Sequence, residues 1–367
     1  MIKTTAISLF TILLIIPLLL TQCSNKRNIE KNKLKIGVIL SLSGNGAVTG
    51  DNTLKGIQLA VQEQNAKGGL LGRQIELDIQ DSKGVAATGL EQVQRMFNTN
   101  NKPFMVCTNT SDVSLAVKTE TEKNKVILVA SAATDKLLEG SNYSVRNYIE
   151  SGQTSDDILE YLRDELRVNS TGIFYANTEF GNSINNKMKE KAGSYGITLP
   201  FDVAYDDKSL DYGRVITGQN TGAVSAIYVI GLGNSLGTFI KQLREAGYKG
   251  SIVADPQFNN PAVIAAAGSS ATDVTFLDFD FDLNSDVPAT KAFIAAYNNA
   301  FKTSPQNLAA ITYDAVKIMF AGVEQAQSLD YLKIPKPTEA KQHNGVTGSI
   351  WVNGGNIIYP TTFKTQP

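Results

Sequence analysis

The run AIYVIGLGNSLGTFIKQLREAGYKGSIVAD, Ala226 to Asp255, sets Gly231, Gly233 and Gly237 between an apolar run and a helical pattern, and closes a second apolar run on an acid. Glycines at a strand-to-helix turn let a pyrophosphate approach the backbone, and an acid about 20 residues further on suits a ribose hydroxyl. One chemistry open to this chain is therefore hydride transfer with a nicotinamide cofactor. A second group of residues points elsewhere. Thr110 and Ser111 follow the apolar FMVC run and open a helical pattern, and Ala133, Thr134 and Asp135 follow VILVASA and open another. Hydroxyls and unpaired N–H groups at helix starts suit a carboxylate, each contact contributing roughly 0.3–1 kcal/mol when exposed and more when dry. The alternative is that Ser111 and Thr134 are plain N-caps, since Ser, Thr and Asp are the commonest caps.

Other chemistries lack their residues. The single His, His343, sits in the polar EAKQHNGV. A catalytic His needs partners, and neither a Ser-His-Asp nor a Cys-His arrangement can be argued from a lone loop residue, so it reads as a solvated surface residue. No Cys/His cluster has zinc-ligand spacing. DFDFD, Asp278 to Asp282, has the acids of a calcium loop, but Leu283 stands where such a loop turns on Gly. Period-2 alternation makes it a strand exit, with the three Asp residues on one face and Phe279 and Phe281 on the other. Cys107 lies in an apolar run and reads as a small buried hydrophobe; Cys23 is the only other cysteine, so no disulfide framework is implied. No catalytic residue, cofactor or metal is expected.

These residues need elements to hold them. Leu34–Leu40 is an apolar run of strand length, and the segment after it places Leu54, Ile57 and Val61 at helical spacing before Gly68 and Gly69 end the pattern. QIELDIQD alternates Ile75, Leu77 and Ile79, and KPFMVCTN and KVILVASA read as buried strands around a helical SDVSLAVKTETEKN. That βαβαβαβ series implies a parallel sheet covered on both faces. A second series runs through TGIFYAN, a helical GNSINNKMKEKAGSYG, LPFDVAY and the glycine-containing run, whose helix stripe is Leu236, Phe239, Ile240 and Leu243. VTFLDFDFD then precedes a helix with Phe293, Ala296, Tyr297, Ala300 and Phe301 on one face. ITYDAVKIMFAGVEQA is a further helix, and GSIWVNGGNIIYPTTF a hairpin turning at Gly354-Gly355. The fold class is α/β, two Rossmann-like doubly wound lobes with parallel central sheets.

Composition agrees with an ordinary globular protein: 367 residues, 42% apolar, 19% charged and a net charge of −1. The length favours about two domains, and the absence of a basic block argues against nucleic acid as a partner. After Lys3, AISLFTILLIIPLLL is too short for the roughly 20 apolar residues of a spanning helix and reads as a cleaved export signal, residues 1–22. LTQC, Leu20 to Cys23, resembles the lipobox of bacterial lipoproteins, although Gln22 replaces the usual small residue. Cys23 would then carry lipid, with residues 23–33 as a tether to the membrane; an ordinary secretory signal is the alternative.

IGVILSLSGNGAVTGDNTLKGIQLAVQEQNAKGGLLGRQIELDIQD resembles the opening of the type I periplasmic binding proteins of branched-chain amino-acid ABC transporters. TEFG, AIYVIG…FIKQLREAGYKG and AFIAAY…SPQNLAAITYDAV follow in that family's order, so the likeness runs nearly to the end of the chain. It implies two lobes joined by three crossovers around a ligand cleft. The first lobe would take 34–151 plus 278–335 and the second 152–277 plus 336–367. It implies that Ser111 and Thr134 hold a ligand's carboxylate and amino groups, with Ala133 between Thr134 and Ala132, whose carbonyl accepts from the ammonium. Phe180 would close over the ligand. Thr49 and Gly233 stand where the family often has aromatic rings, which implies a ligand bulkier or more polar than leucine. Gly231 and Gly233 would leave the strand end bare for its side chain. The ammonium-pairing acid falls near ADPQF, where an ungapped match gives Pro256; of its neighbours Asp255 and Gln257, Asp255 is the candidate. The implied function is a monomeric, exported, membrane-anchored receptor that delivers an amino acid or similar small carboxylate to an ABC permease. A sensory role for the same fold, and the nicotinamide oxidoreductase, stand as alternatives.

Overall fold

The computed structural model describes residues 33–334 and 341–367. The expected export signal, the lipidation site Cys23 and the tether lie outside them, save for Lys33. Among the described residues no helix is long and apolar enough to cross a membrane.

The first series is β1 (Leu34–Leu40), α1 (Ala47–Ala66), β2 (Ile75–Asp81), α2 (Ala86–Phe97), β3 (Met105–Thr108), α3 (Ser111–Asn124), β4 (Ile127–Ala130) and β5 (Ser144–Arg146). The second is α4 (Ser151–Glu160), β6 (Gly172–Ala176), α5 (Glu179–Lys191), β7 (Asp202–Tyr205), α6 (Gly213–Thr217), β8 (Ala226–Ile230), α7 (Gly233–Glu245), β9 (Ser251–Ala254), α8 (Pro261–Ala267) and β10 (Val274–Phe279). The chain then makes α9 (Pro288–Phe301), α10 (Asn307–Ala326), β11 (Lys341–Gly345), β12 (Gly348–Asn353), β13 (Asn356–Ile358) and β14 (Thr361–Thr365).

Two sheets result, ordered β11-β12-β13-β5-β4-β3-β1-β2 and β14-β10-β9-β8-β6-β7. Their centres are parallel; β11, β12 and β14 make the antiparallel pairings at the edges, so both sheets are mixed. Side chains such as Val38, Met105 and Ile127 are fully buried because helices cover both faces, as parallel sheets require. The backbone passes between sheets three times: after β5, after β10, and at Tyr359-Pro360 between β13 and β14. Helix α10 returns to lie on α1, where Gly56 allows the crossing: a Cβ there would meet the Ala309 carbonyl oxygen at 2.4 Å.

Three sequence readings need correction. The C-terminal hairpin does not belong with the second lobe; β11–β13 extend the first sheet, joining β5 at Asn356, and only β14 enters the second. Pro360 has no N–H to continue the ladder, so the strand breaks there and crosses. His343 lies on β11, opposite Ile350, and not in a loop. The strand alternation read into DFDFD stops early: β10 ends at Phe279, so it does not carry the three Asp residues along one strand face. Asp278 is buried, as are Phe279 and Phe281, whereas Asp280 and Asp282 are exposed. Asp278 accepts from Asn259 at 2.7 Å, from Lys364 at 2.8 Å and from Asn307, tying second-sheet strands to the start of α10. The turn at Gly354-Gly355 is as expected, with both residues at positive φ, 57° and 88°.

Candidate functional site

The C-terminal ends of β3 and β4 form one wall. β3 is a short fully buried strand, so its exit places Asn109, Thr110 and Ser111 at the sheet edge where open α/β sheets bind ligands. Thr110 is extended (φ −138°, ψ 147°) and is the N-cap of α3, but its side chain makes no capping bond. The buried Asn109 Nδ2, Thr110 Oγ1 and Ser111 Oγ all lack a hydrogen-bond partner among the described residues. The Asn109 amide is oriented by its other end, since Oδ1 accepts from Ser41 N at 2.9 Å. Each buried polar group left unpaired costs about 1–3 kcal/mol, so three in succession at the start of the 14-residue α3 make this a costly strand exit. The plain-cap reading of Ser111 fails: Thr110 is the capping position, and neither hydroxyl caps.

Beyond β4, the Ala132 methyl is in the core, and the Ala133 carbonyl accepts from Ser151 N at 2.9 Å. Thr134 precedes a short 3-10 turn but does not cap it. Its hydroxyl donates to Glu179 Oε1 in the second lobe at 2.8 Å, and its carbonyl accepts from Arg146 Nη2 at 2.7 Å. Arg146 is buried on β5, where desolvation lowers its pKa while its ion pair to Glu150 at 2.7 Å opposes the drop. Glu179 opens α5 and also pairs with Lys136 at 3.0 Å; its N–H donates to the Asp112 carboxylate at 3.2 Å. Phe180, one residue on, is buried edge-to-face against Tyr148 of the first crossover, centroids 6.1 Å apart.

The second lobe supplies the opposite wall. Asp255 is fully buried, and its two carboxylate oxygens accept from Gly231 N and Gln257 N, both at 2.9 Å. Desolvation outweighs those bonds and pushes its pKa up to about 7. No cation pairs with it among the described residues. Gln257 makes the cross-lobe contact next to it: Thr49 Oγ1 donates to Gln257 Oε1 at 3.3 Å, and Gln257 Nε2 donates to Tyr148 OH at 3.1 Å.

The glycines serve packing. A Cβ on Gly231 would sit 2.1 Å from Tyr205 OH, and one on Gly237 would sit 2.1 Å from the Val263 carbonyl oxygen of α8. Gly233, at φ 57°, would press a Cβ to 2.0 Å from the Asn45 carbonyl oxygen of the first lobe. The expectation that Gly231 and Gly233 leave room for a ligand side chain is therefore corrected, because Tyr205 and Asn45 take that room. The nicotinamide reading falls with it. Asn45 Oδ1 accepts from Ser235 N at 3.1 Å at the start of α7, where a pyrophosphate would have to lie. Nor do the described residues gather three His, Cys, Asp or Glu side chains suited to a metal.

Of the expected residues, Thr134 and Thr49 bond across the lobes, to Glu179 and Gln257, and Phe180 packs on Tyr148 of the first crossover. Ala132 and Ala133 stand beside Thr134 in the chain, and Ser111 and Asp255 lie next to Asp112 and Gln257, which make cross-lobe bonds of their own. Sequence reading missed Asn45, Asn109 and Glu179, and named Gln257 only as a neighbour of the expected acid. Asn109 had a signal, as it directly follows a buried strand; Asn45 had none, since its partners lie 187 and 190 residues away.

The comparisons agree with this geometry. A family model described as "Periplasmic binding protein" matches residues 33–354. The Leu/Ile/Val-binding protein homolog 3 of Brucella melitensis is 25% identical over 303 residues, 81% of this chain and 80% of that one. The Leu/Ile/Val-binding protein BraC3 of Rhizobium johnstonii is likewise 25% identical, over 300 residues, with the same coverage of both chains. Among solved structures, the branched-chain amino acid transporter substrate-binding protein LivJ of Streptococcus pneumoniae, in complex with isoleucine, is 26% identical. It superposes with a TM-score of 0.81, covering 91% of this chain and 96% of that one. A solute-binding protein from R. palustris in complex with benzoate shares the fold at a TM-score of 0.81 and 17% identity, covering 91% and 93%. With two α/β lobes, a polar seam between them and a family match over nearly its whole described length, this chain belongs to the periplasmic binding proteins.

Proposed function

We propose that this protein is the exported ligand receptor of an ABC importer, capturing a small carboxylate, and an amino acid in particular, between its lobes by hinge closure. One observation carries the reading: Asn109, Thr110 and Ser111 hold three buried polar atoms without partners at the start of α3. Backbone N–H groups and the helix dipole add positive potential there, so a carboxylate is the group that satisfies the set. Thr134 and the Ala132 carbonyl lie at the neighbouring strand end, and Phe180 supplies apolar cover. A ligand ammonium would find its counter-charge at Asp255, whose oxygens each keep a lone pair beyond the one bonded backbone donor. The curated relatives are Leu/Ile/Val-binding proteins, and the LivJ structure holds isoleucine, which supports an amino acid over other carboxylates. Lipid on Cys23 would keep the receptor at the membrane beside its permease.

Calorimetry against L-isoleucine, L-leucine, polar L-amino acids and benzoate tests this. A true ligand at 100 times its Kd should add about 2.7 kcal/mol of stability. Silence across that panel overturns the reading.

A further inference from the structure

The first lobe, which carries the unpartnered groups, also inserts a residue into the second. Asn45 lies in the short 3-10 turn Gly44–Gly46 that precedes α1. Its Nδ2 donates to the Leu232 carbonyl at 2.9 Å and to Ser235 Oγ at 3.1 Å, while its Oδ1 accepts from Ser235 N at 3.1 Å. The primary amide thus meets a carbonyl, a hydroxyl and a first-turn helix N–H together, a match that an acid or a hydroxyl side chain cannot make. The Asn45 backbone fits as closely. Its carbonyl oxygen occupies the space that a side chain at position 233 would need, so the glycine forms a notch for it. All these contacts join the two lobes, and none requires a ligand.

We infer that Asn45 and the Gly233 notch form a latch, making Asn45 a positioning residue for ligand capture that holds the lobes closed through protein contacts alone. The inference rests on the ligand-receptor reading for its consequence, though not for its geometry. A latch that favours the closed state raises the fraction of protein competent to hold ligand and therefore strengthens every ligand by one common factor. A residue that touches the ligand changes affinity differently from one ligand to the next.

Two measurements on the mature protein and its Asn45→Ala variant decide the matter. The first is the radius of gyration of the ligand-free protein by small-angle X-ray scattering. The variant should be the more extended, and equal radii overturn the latch whether or not any ligand is known. The second is calorimetry and stopped-flow kinetics with each panel compound that binds wild type. Loss of three hydrogen bonds should weaken all of them by the same factor, on the order of tenfold, through faster dissociation. A factor that differs between L-isoleucine and the other binders places Asn45 against the ligand and overturns the inference. If no panel compound binds wild type while the radii differ as expected, the latch stands and the ligand assignment fails.

Discussion

Helices α3 and α7 start in the same way in opposite lobes. Each follows a buried apolar strand, β3 or β8, and each has an extended capping residue, Thr110 at φ −138° and Leu232 at φ −130°, whose side chain does not cap. Each has a serine in its first turn, Ser111 or Ser235. Their fates differ. Ser111 Oγ is buried without a partner. Ser235 Oγ donates to the Leu232 carbonyl at 2.8 Å and receives Asn45 Nδ2, and its N–H is held by the same Asn45. We propose that the helix start left unsatisfied takes the ligand, and that the one satisfied by the facing lobe holds the protein shut. A helix start is a site only when the fold leaves its polar groups unmet.

The contrast can be broken most severely at the notch. Gly233→Ala places a methyl 2.0 Å from the Asn45 carbonyl oxygen, and backbone on both sides resists a shift. Full closure should be lost and affinity should fall by about 3 kcal/mol or more, with a smaller loss of thermal stability from the positive φ. Near-normal affinity would show that the closed geometry is not the binding one. Ser111→Ala should cost roughly 1.5–3 kcal/mol of affinity, the range for a hydrogen bond to a charged group, while the ligand-free Tm stays put or rises slightly. A clear drop in ligand-free Tm would mean that Ser111 serves the fold.

Titration separates the walls next. With a ligand ammonium at Asp255, the carboxyl that titrates near pH 7 when free must ionise on binding. Affinity should therefore fall about tenfold from pH 8 to pH 6, with proton release detectable by calorimetry in buffers of different ionisation enthalpy. A flat profile excludes Asp255 as the partner. The same raised pKa means that, from about pH 4 to 7, the ligand-free fold binds more protons at Asp255 than the unfolded chain does. That contribution to stability is greatest at low pH and is lost as pH rises through 7, which urea unfolding at pH 5 and pH 8 can read. The smallest effect belongs to Ser235→Ala. It removes one of Asn45's three bonds but keeps the backbone N–H, so affinity should drop by only about 0.5–1 kcal/mol and equally for all ligands. A loss as large as that of Ser111→Ala would erase the distinction between the two helix starts.

Much of the fold was legible. The runs around Leu34–Leu40, Met105–Thr108, Ile127–Ala130 and Ala226–Ile230 are apolar because both sheet faces are covered, and their alternation with helical stripes dictates doubly wound lobes. Strand β5 escaped because three residues, Ser144, Val145 and Arg146, carry no readable period. The C-terminal GSIWVNGGNIIYPTTF reads as a hairpin, but its lobe is not legible in the sequence, since partner choice depends on which sheet edge is free.

The site divides along the same line. Local chemistry in the sequence determined that Ser111 and Thr134 would stand at strand exits opening helical turns, and that Gly231, Gly233 and Gly237 would sit at a tight strand-to-helix junction. Those are statements about neighbours in the chain, fixed by propensity and period. Only the tertiary structure decided that Ser111 is unpartnered, that Thr134 reaches Glu179, and that the glycine at 233 receives Asn45 and not a cofactor. Whether a polar group is met or left unmet is settled by what the opposite lobe brings to it, and the contact between Asn45 and Ser235 spans 190 residues of chain.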